Sequence, residues 1–219
     1  DTDFFFRIYN ADGGEVGQCG NGARCFARFV KENAYTKKDK LRVATLTGIM
    51  ELSLAGEAVM VNMGVPKLQP AQIPFLADER ADSYRLHLNG ETIEFGAASV
   101  GNPHMCIAVE DIAAAPVEKW AAQIQKRPEF PESVNVGFMQ VLTPNHIRLR
   151  VYERGAGETL ACGSGACAAV VIGRQQKKLA DKVNVDLPGG RLGVQWKLEG
   201  DPVMLSGPAE FVFNGKINL

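Results

Sequence analysis

Short runs of alternating apolar and polar residues recur along most of the chain, and Gly, Pro, Asn and Asp separate them. Alternation with a period of two residues is typical of strands that bury one face. Strands are therefore predicted at 41–45, 50–54, 59–63, 183–187 and 192–196. Because turn residues separate them at short intervals, we expect them to form small antiparallel sheets.

Two stretches have a helical pattern instead. In the first, apolar residues recur at helical spacing while basic residues occupy the other face, which predicts an amphipathic helix. The apolar residues are Ala23, Phe26, Ala27 and Val30, and the basic ones are Arg24, Arg28 and Lys31. The second stretch, 166–172, is apolar all round, so we expect that helix to be buried.

These helices belong to an internal repeat. Residues 7–25 align without gaps on residues 150–168, at an offset of 143, and eight of the 19 pairs are identical. The identical pairs are Arg7 and Arg150, Tyr9 and Tyr152, Gly14 and Gly157, Glu15 and Glu158, Cys19 and Cys162, Gly20 and Gly163, Gly22 and Gly165, and Ala23 and Ala166. The similarity continues more weakly to 47–50 with 189–192 and 59–64 with 203–207. We call residues 7–64 the first copy and residues 150–207 the second copy.

The repeat predicts an α+β fold of two pseudo-symmetric lobes, each a curled antiparallel sheet around a central helix. We assign 1–65 and 208–219 to the first lobe and 66–207 to the second. The region from 66 to 150 precedes the second cysteine motif and has almost no counterpart before the first one. We therefore expect the first lobe to be incomplete, with a segment missing upstream of Asp1.

The composition of the chain argues against nucleic acid or a membrane as its partner. The chain of 219 residues is 46% apolar and carries 24 basic and 25 acidic residues, with no basic stripe that would indicate nucleic acid or an anionic membrane. It lacks a run of apolar residues long enough for a membrane span and a signal-peptide pattern at its start. We expect a cytoplasmic protein with a small-molecule partner and reduced thiols.

The chemistry of the repeat lies in the motif Cys-Gly-[Asn/Ser]-Gly-Ala, which begins at Cys19 and again at Cys162. It places a thiol at the start of a helix, where glycines let a ligand approach and free N–H groups point outward. Such a site binds anions, and the helix dipole lowers the pKa of a cysteine there. We expect part of each thiol to be ionised at neutral pH.

Two such thiols in matched lobes are expected to face each other across one cleft. Epimerisation at a carbon needs this arrangement, because a base removes the α-proton from one face and an acid returns a proton from the other. The N–H groups after each cysteine would hold the substrate carboxylate and stabilise the charge of the carbanion.

Other residues are weighed individually. A single Cys-Gly-x-Gly motif is more often structural, and only the repeat favours catalysis for Cys19 and Cys162. Cys25, Cys106 and Cys167 lie at apolar positions, so burial is expected for them. The spacing of Cys and His residues predicts no metal site.

Two polar residues are further candidates. His104 follows the turn Gly101-Asn102-Pro103 and is either a surface turn residue or a partner of a thiol. Arg154 lies among glycines shortly before Cys162 and could clamp a carboxylate.

The chain closely resembles the diaminopimelate epimerase family, and the resemblance covers nearly all of it. The motifs that carry it are Asn-Ala-Asp-Gly at 10–13, Gln-Cys-Gly-Asn-Gly-Ala-Arg-Cys at 18–25, Gly-Asn-Pro-His at 101–104, Val-Asn-Val-Gly-Phe at 134–138, Glu-Arg-Gly-Ala-Gly-Glu-Thr at 153–159 and Ala-Cys-Gly-Ser-Gly-Ala at 161–166. This family interconverts LL- and meso-diaminopimelate in lysine and cell-wall precursor synthesis, without metal or pyridoxal phosphate.

The resemblance implies Cys19 as proton donor and Cys162 as proton acceptor in the LL to meso direction. It implies that His104 and Glu153 tune the thiols. The substrate contacts that it implies are Asn10, Gly20, Asn21, Asn102, Asn135, Glu153, Arg154, Gly163 and Ser164.

The chain differs from the family at its start, where members carry roughly 55 further residues that include the first-lobe counterpart of residues 101–104. The resemblance also implies a homodimer, with Phe213 at its interface. Proline racemase and hydroxyproline epimerase use paired cysteines in the same architecture and remain alternatives. A thiol redox or ligand-binding protein, whose two cysteines only form a disulfide, is an alternative from another class.

Overall fold

The computed structural model describes residues 1–9, 13–17 and 19–217. In this part of the chain the α-helices are α1 (Gly20–Glu32), α2 (Val117–Ile124) and α3 (Gly163–Gln175), and a 3-10 helix covers Pro70–Gln72. The strands are β1 (Phe4–Phe5), β2 (Ile8–Tyr9), β3 (Glu15–Val16), β4 (Lys40–Thr45), β5 (Gly48–Ala55), β6 (Ala58–Asn62), β7 (Tyr84–Leu88), β8 (Glu91–Ser99), β9 (Pro103–Ala108), β10 (Asn135–Thr143), β11 (His146–Glu153), β12 (Gly157–Thr159), β13 (Lys182–Leu187), β14 (Gly190–Gln195) and β15 (Met204–Pro208). The predicted strands at 41–45, 50–54, 59–63, 183–187 and 192–196 are confirmed as β4, β5, β6, β13 and β14, with small shifts at their ends.

One mixed sheet carries most of these strands, in the order β1-β4-β5-β6-β15-β14-β13-β11-β10-β9-β8-β7. Strand β12 pairs with β11, and β2 and β3 form a separate antiparallel pair. Strand β1 is parallel to β4, and β11 is parallel to β13. Each parallel pair arises because a helix, α1 or α3, connects its two strands.

The centre of the sheet is symmetric in the repeat. Strands β6 and β15 pair in antiparallel fashion, with Val61 opposite Leu205, and these two residues are equivalent in the two copies. Strands β4 and β5 on one side are mirrored by β13 and β14 on the other. A local twofold axis therefore passes between Val61 and Leu205 and joins the two predicted sheets into one.

The α+β class and the two related copies are confirmed. Strands β7 to β10 extend the sheet beyond β11, and the first copy shows no equivalent strands beyond β1 among the residues described. The division of the chain into lobes at residues 65 and 207 stays a prediction.

Helix α1 packs on the sheet through Ala23, Ala27 and Val30, at the spacing that predicts one buried face. Arg24 is also buried, so the prediction that it lies on the exposed face is wrong. Its guanidinium lies over Gly207, and because glycine has no side chain there is room for it. Asn21 Oδ1 and the Pro208 carbonyl accept hydrogen bonds from the guanidinium, which lowers the cost of burying it.

Helix α3 is buried from residue 165 to residue 173, which confirms the prediction from its all-round apolar pattern. It lies in the larger of two apolar clusters, which combines residues of both copies. The smaller cluster surrounds α2 and contains the stacked rings of Phe75 and Phe130, whose centroids are 4.9 Å apart. None of the helices described is long and apolar enough to span a membrane.

Leu205 packs against both helix starts. A Cβ atom added to Gly20 would lie 2.8 Å from Leu205 Cδ2, and one added to Gly163 would lie 3.0 Å from the same atom. Glycine at both positions therefore lets the two helices approach the axis closely. The side chain of Leu205 is fully buried.

We expect Leu205→Ala to lower the free energy of unfolding by about 2 to 5 kcal/mol, because it leaves a cavity beneath both helix starts. Urea denaturation followed by circular dichroism measures this loss. Leu198→Ala is the matched control, since Leu198 is 63% exposed and its truncation should change stability by less than about 0.5 kcal/mol. Equal effects of the two substitutions would contradict the role given to Leu205.

Candidate active site

The two repeated cysteines occupy the same local structure. Cys19 is the N-cap residue of α1, with φ −145° and ψ 104°, and Cys162 is the N-cap residue of α3, with φ −119° and ψ 107°. The glycine three positions after each cysteine leaves room for the sulfur. A Cβ atom on Gly22 would lie 3.4 Å from Cys19 Sγ, and one on Gly165 would lie 3.2 Å from Cys162 Sγ.

Both thiols line one cleft, which has a volume of about 720 Å³. The residues that line it come from both copies and from the segment between them. They are Glu15, Gly17, Cys19, Gly20, Asn21, Thr47, Met63, Val65, Lys67, Ser99, Val100, Gly101, Asn102, Glu153, Arg154, Ala161, Cys162, Gly163 and Ser164. The geometry thus brings the two helix starts to a common space large enough for a small molecule.

Cys162 is 4% exposed, and its thiol donates a hydrogen bond to Glu153 Oε2 at 3.2 Å. Burial, followed by the charge and hydrogen bond of Glu153, raises the pKa of Cys162 to about 12, against the opposing effects of Ser164 and the Gly165 N–H. The expectation that the helix dipole leaves part of this thiol ionised is therefore wrong for Cys162. Loss of hydration outweighs the dipole, and the thiol is protonated at neutral pH.

Cys19 has a different environment. Its side chain is half-buried, and its sulfur accepts a hydrogen bond from the Gly22 N–H at 3.3 Å. Both sulfurs therefore face the backbone N–H of the glycine three positions further on, and Cys162 also faces the carboxylate of Glu153. Equivalent positions in the repeat have become chemically unequal.

His104, on β9, is buried with 2% exposure. Its Nε2 lies 2.9 Å from Asn102 Oδ1 and 3.0 Å from Ser164 Oγ, and Ser164 Oγ lies 3.7 Å from Cys162 Sγ. Burial, and secondarily the charge of Arg154, lower the pKa of His104 to about 3, so the ring is neutral. The prediction that His104 is a surface turn residue is therefore wrong. Any influence of His104 on Cys162 passes through Ser164.

Asn135 and Arg154 are held together. The Asn135 amide donates to the Pro103 carbonyl and accepts from the Arg154 backbone N–H, both at 2.9 Å. Asn135 is buried and does not line the cleft. Arg154 does line it, and its Nη1 donates to the Glu132 carbonyl at 2.7 Å. In this structure Asn135 therefore positions the Arg154 segment, and substrate contact by either residue stays a prediction.

All but one of the remaining predicted substrate contacts lie in the cleft wall. Gly20, Asn21, Asn102, Gly163 and Ser164 all line the cleft together with Glu153. Asn10 lies outside the described residues. The roles of all these residues in binding stay predictions.

Sequence reasoning missed part of the cleft wall. Glu15 was visible only as an identical pair of the repeat, and it forms an ion pair with Arg7 at 2.7 Å. Thr47 donates its hydroxyl to the Gly17 carbonyl at 2.9 Å. Lys67 and Ser99 exchange backbone hydrogen bonds, which carry no sequence signal.

The other cysteines lie away from the cleft. Cys106 and Cys167 are buried, as predicted, and burial raises the pKa of Cys106 to about 12. Cys25 is exposed, so the prediction of its burial is wrong, because α1 turns this position away from the sheet. Residues 1–9, 13–17 and 19–217 contain no group of three or more His, Cys, Asp and Glu side chains arranged to hold a metal ion.

Known proteins resemble this chain in sequence. The family model described as Diaminopimelate epimerase matches residues 1–69 and 96–212. A diaminopimelate epimerase of Pseudomonas paraeruginosa is 52% identical over 220 residues, which cover 100% of this chain and 80% of that protein.

Solved structures share the fold at low sequence identity. A probable proline racemase from Agrobacterium radiobacter has a TM-score of 0.71 at 16% identity, over 100% of this chain and 73% of its own. A hydroxyproline epimerase from Agrobacterium vitis has a TM-score of 0.65 at 14% identity, over 93% of this chain and 67% of its own. The family model and the sequence identity together show that this chain belongs to the diaminopimelate epimerase family.

Proposed function

We propose that this chain interconverts LL- and meso-2,6-diaminopimelate by proton transfer at the α-carbon, in the synthesis of lysine and peptidoglycan precursors. The observation that carries the proposal is that Cys19 and Cys162, equivalent in the repeat, line the same cleft. Membership of the family supports the substrate. Proton removal by one thiol and proton return by the other need no cofactor.

The unequal surroundings of the thiols suit this reaction. Cys162 carries its proton toward Glu153, so it can act as an acid directly. It acts as a base only after losing that proton, and Glu153 Oε2 is positioned to accept it. Thr159 donates its hydroxyl to the other carboxylate oxygen, which fixes the orientation of Glu153. We therefore assign Glu153 the role of proton acceptor for Cys162 in the LL to meso direction.

The helix starts supply the site for the reacting carboxylate. The N–H groups of Gly20 and Asn21 belong to the first turn of α1, and those of Gly163 and Ser164 to the first turn of α3. First-turn N–H groups have no partner within a helix and bind anions. Two such turns at one cleft can stabilise the negative charge that spreads onto the carboxylate as the α-proton leaves.

A second amino-acid end distinguishes diaminopimelate from proline. Arg154 and Asn102 line the same cleft as the thiols. A guanidinium fits a carboxylate in bidentate fashion, and an amide oxygen accepts from an ammonium group. This pair therefore favours a substrate with a second carboxylate and amino group over a proline-type substrate.

We also propose a homodimer that uses the C-terminal segment. Phe213 is 82% exposed and its neighbour Val212 is 87% exposed. Adjacent exposed apolar residues of this size are typical of an interface between chains. The two residues extend beyond β15, away from the cleft wall.

Of two predictions about the reaction, the first concerns the two thiols. Cys19→Ala and Cys162→Ala should each lower the turnover of LL-diaminopimelate by at least about 100-fold, because one remaining thiol cannot serve both faces of the carbon. Exchange of the α-proton in heavy water and chiral chromatography measure the loss. Cys25→Ala, on an exposed position of α1, is the control and should keep normal turnover.

Two results would count against this mechanism. Near-normal turnover in either single cysteine variant would exclude the two-thiol reaction. Exchange with proline but not with LL-diaminopimelate would exclude the proposed substrate.

The second prediction concerns Glu153→Gln. Removing the carboxylate charge should lower the pKa of Cys162, because that charge raises it in the native protein. Alkylation of Cys162 by iodoacetamide at about pH 8 should therefore become faster, since the thiolate is the reactive form. Turnover should fall at the same time, because the proton acceptor of Cys162 is lost.

Mass spectrometry of the labelled Cys162 peptide separates this reaction from that of other cysteines. Glu94→Gln, on strand β8, is the control and should leave the labelling rate unchanged, because Glu94 forms an exposed ion pair with Arg85 and does not line the cleft. A variant in which labelling and turnover rise together would show that Glu153 only keeps Cys162 protonated.

A further inference from the structure

Arg24 is a buried cation without an acidic partner. Its side chain lies in α1 and is 7% exposed, and no Asp or Glu of the described chain forms an ion pair with it. The ionisable groups that act on its pKa are the thiols of Cys25, Cys19 and Cys167. Burial lowers the pKa of Arg24, which shows that its charge is held at a cost.

The repeat shows that this position does not require a cation. Cys167, the equivalent residue of α3, is fully buried as a small apolar side chain. An uncharged side chain could therefore fill this buried position, and a buried charge is seldom the most stable choice. Space filling therefore does not explain why this position carries an arginine.

A cradle fitted to the guanidinium holds it in place. Its Nε donates to the Pro208 carbonyl at 3.2 Å. A Cβ atom on Gly207 would lie 3.1 Å from Nε and 3.2 Å from Cζ, so glycine leaves the space that the group occupies. The side chain is therefore fixed from the side of β15, the strand at the local twofold axis.

The free end of the guanidinium acts on a residue of the cleft wall. Arg24 Nη1 donates to Asn21 Oδ1 at 2.8 Å. With its oxygen so engaged, the Asn21 amide directs Nδ2 to the Ala161 carbonyl at 3.3 Å. A chain of hydrogen bonds therefore connects Arg24 in one copy to the backbone of Ala161, the residue directly before Cys162, in the other.

We infer that Arg24 is a positioning residue, which orients the Asn21 amide and thereby sets the placement of the Cys162 segment relative to Cys19. This inference rests on the proposed two-thiol reaction. Because each thiol must reach one face of the same carbon, a small displacement of one helix start lowers the rate of proton transfer more than it lowers substrate binding.

Arg24→Met tests the inference, because Met keeps the length of the side chain but neither its charge nor its hydrogen bonds. We expect kcat for LL-diaminopimelate to fall about 10- to 100-fold while KM changes less than about threefold. Arg28→Met is the matched control. Arg28 lies one turn further along α1 and donates to the Gly56 and Glu57 carbonyls, away from the cleft, so its loss should leave kcat unchanged.

A double-mutant cycle with Asn21→Ala separates positioning from general destabilisation. If Arg24 acts through Asn21, kcat of the double variant equals that of Asn21→Ala alone. Multiplying effects, or an unchanged kcat in Arg24→Met, would overturn the inference. Arg24→Lys, which keeps the charge but lacks the planar fork, should recover only part of the rate.

Two further measurements apply if folding or activity fails. If Arg24→Met does not fold, Gly207→Ala serves instead, because its Cβ atom would crowd the guanidinium at 3.1 Å, together with Leu192 Cδ2 at 2.7 Å, and it should also lower kcat. A parent chain without epimerase activity would count against the proposed function and not against Arg24. Cross-linking of Cys19 to Cys162 by 1,3-dibromoacetone then reports thiol placement directly. The yield should fall in Arg24→Met but not in Arg28→Met, and equal yields would overturn the inference.

Discussion

The antiparallel pairing of β6 with β15 is the contact on which the rest of the molecule depends. These strands are equivalent in the repeat, and Val61 stands opposite its own counterpart, Leu205. Antiparallel pairing of equivalent strands relates the two copies by a local twofold rotation, so each feature of one copy meets its counterpart near the axis. Gly20 and Gly163 accordingly pack against the same leucine methyl group, and the cysteine before each of them reaches the same cleft.

Symmetry of position does not bring symmetry of chemistry, and the proposed reaction needs the difference. A two-base epimerisation requires one thiol with its proton and one without, whichever substrate is bound. Two identical thiols in identical surroundings would titrate together, whereas unequal surroundings separate their protonation states. A backbone N–H faces the sulfur of each cysteine, so burial and Glu153 at Cys162 supply this inequality.

The features that were predicted from the sequence are those encoded locally or in the repeat. The ungapped repeat identified the two cysteines, and the apolar pattern of α3 gave its burial. Features that depend on distant neighbours were missed. Arg24 is buried because of Gly207 and of Pro208, which lies 184 positions further along the chain. The protonation of Cys162 depends on packing that no helix-dipole argument contains, and the register of β10 on β9 brings Asn135 to the backbone instead of the cleft.

Identical and unequal pairs of the repeat have different roles. Identical pairs build the frame: Arg7 binds Glu15, and Arg150 binds Glu158, both in bidentate fashion across the two strands that lead to each thiol. Surface ion pairs add little to stability, so the value of this duplicated pair is that it fixes the geometry of the approach to each cysteine. Unequal pairs lie close to the thiols instead, with Asn21 aligned on Ser164 and Arg24 on Cys167. A duplicated frame fixes where two identical groups lie, and differences next to those groups suit the proposed reaction, in which one thiol gives a proton and the other takes one.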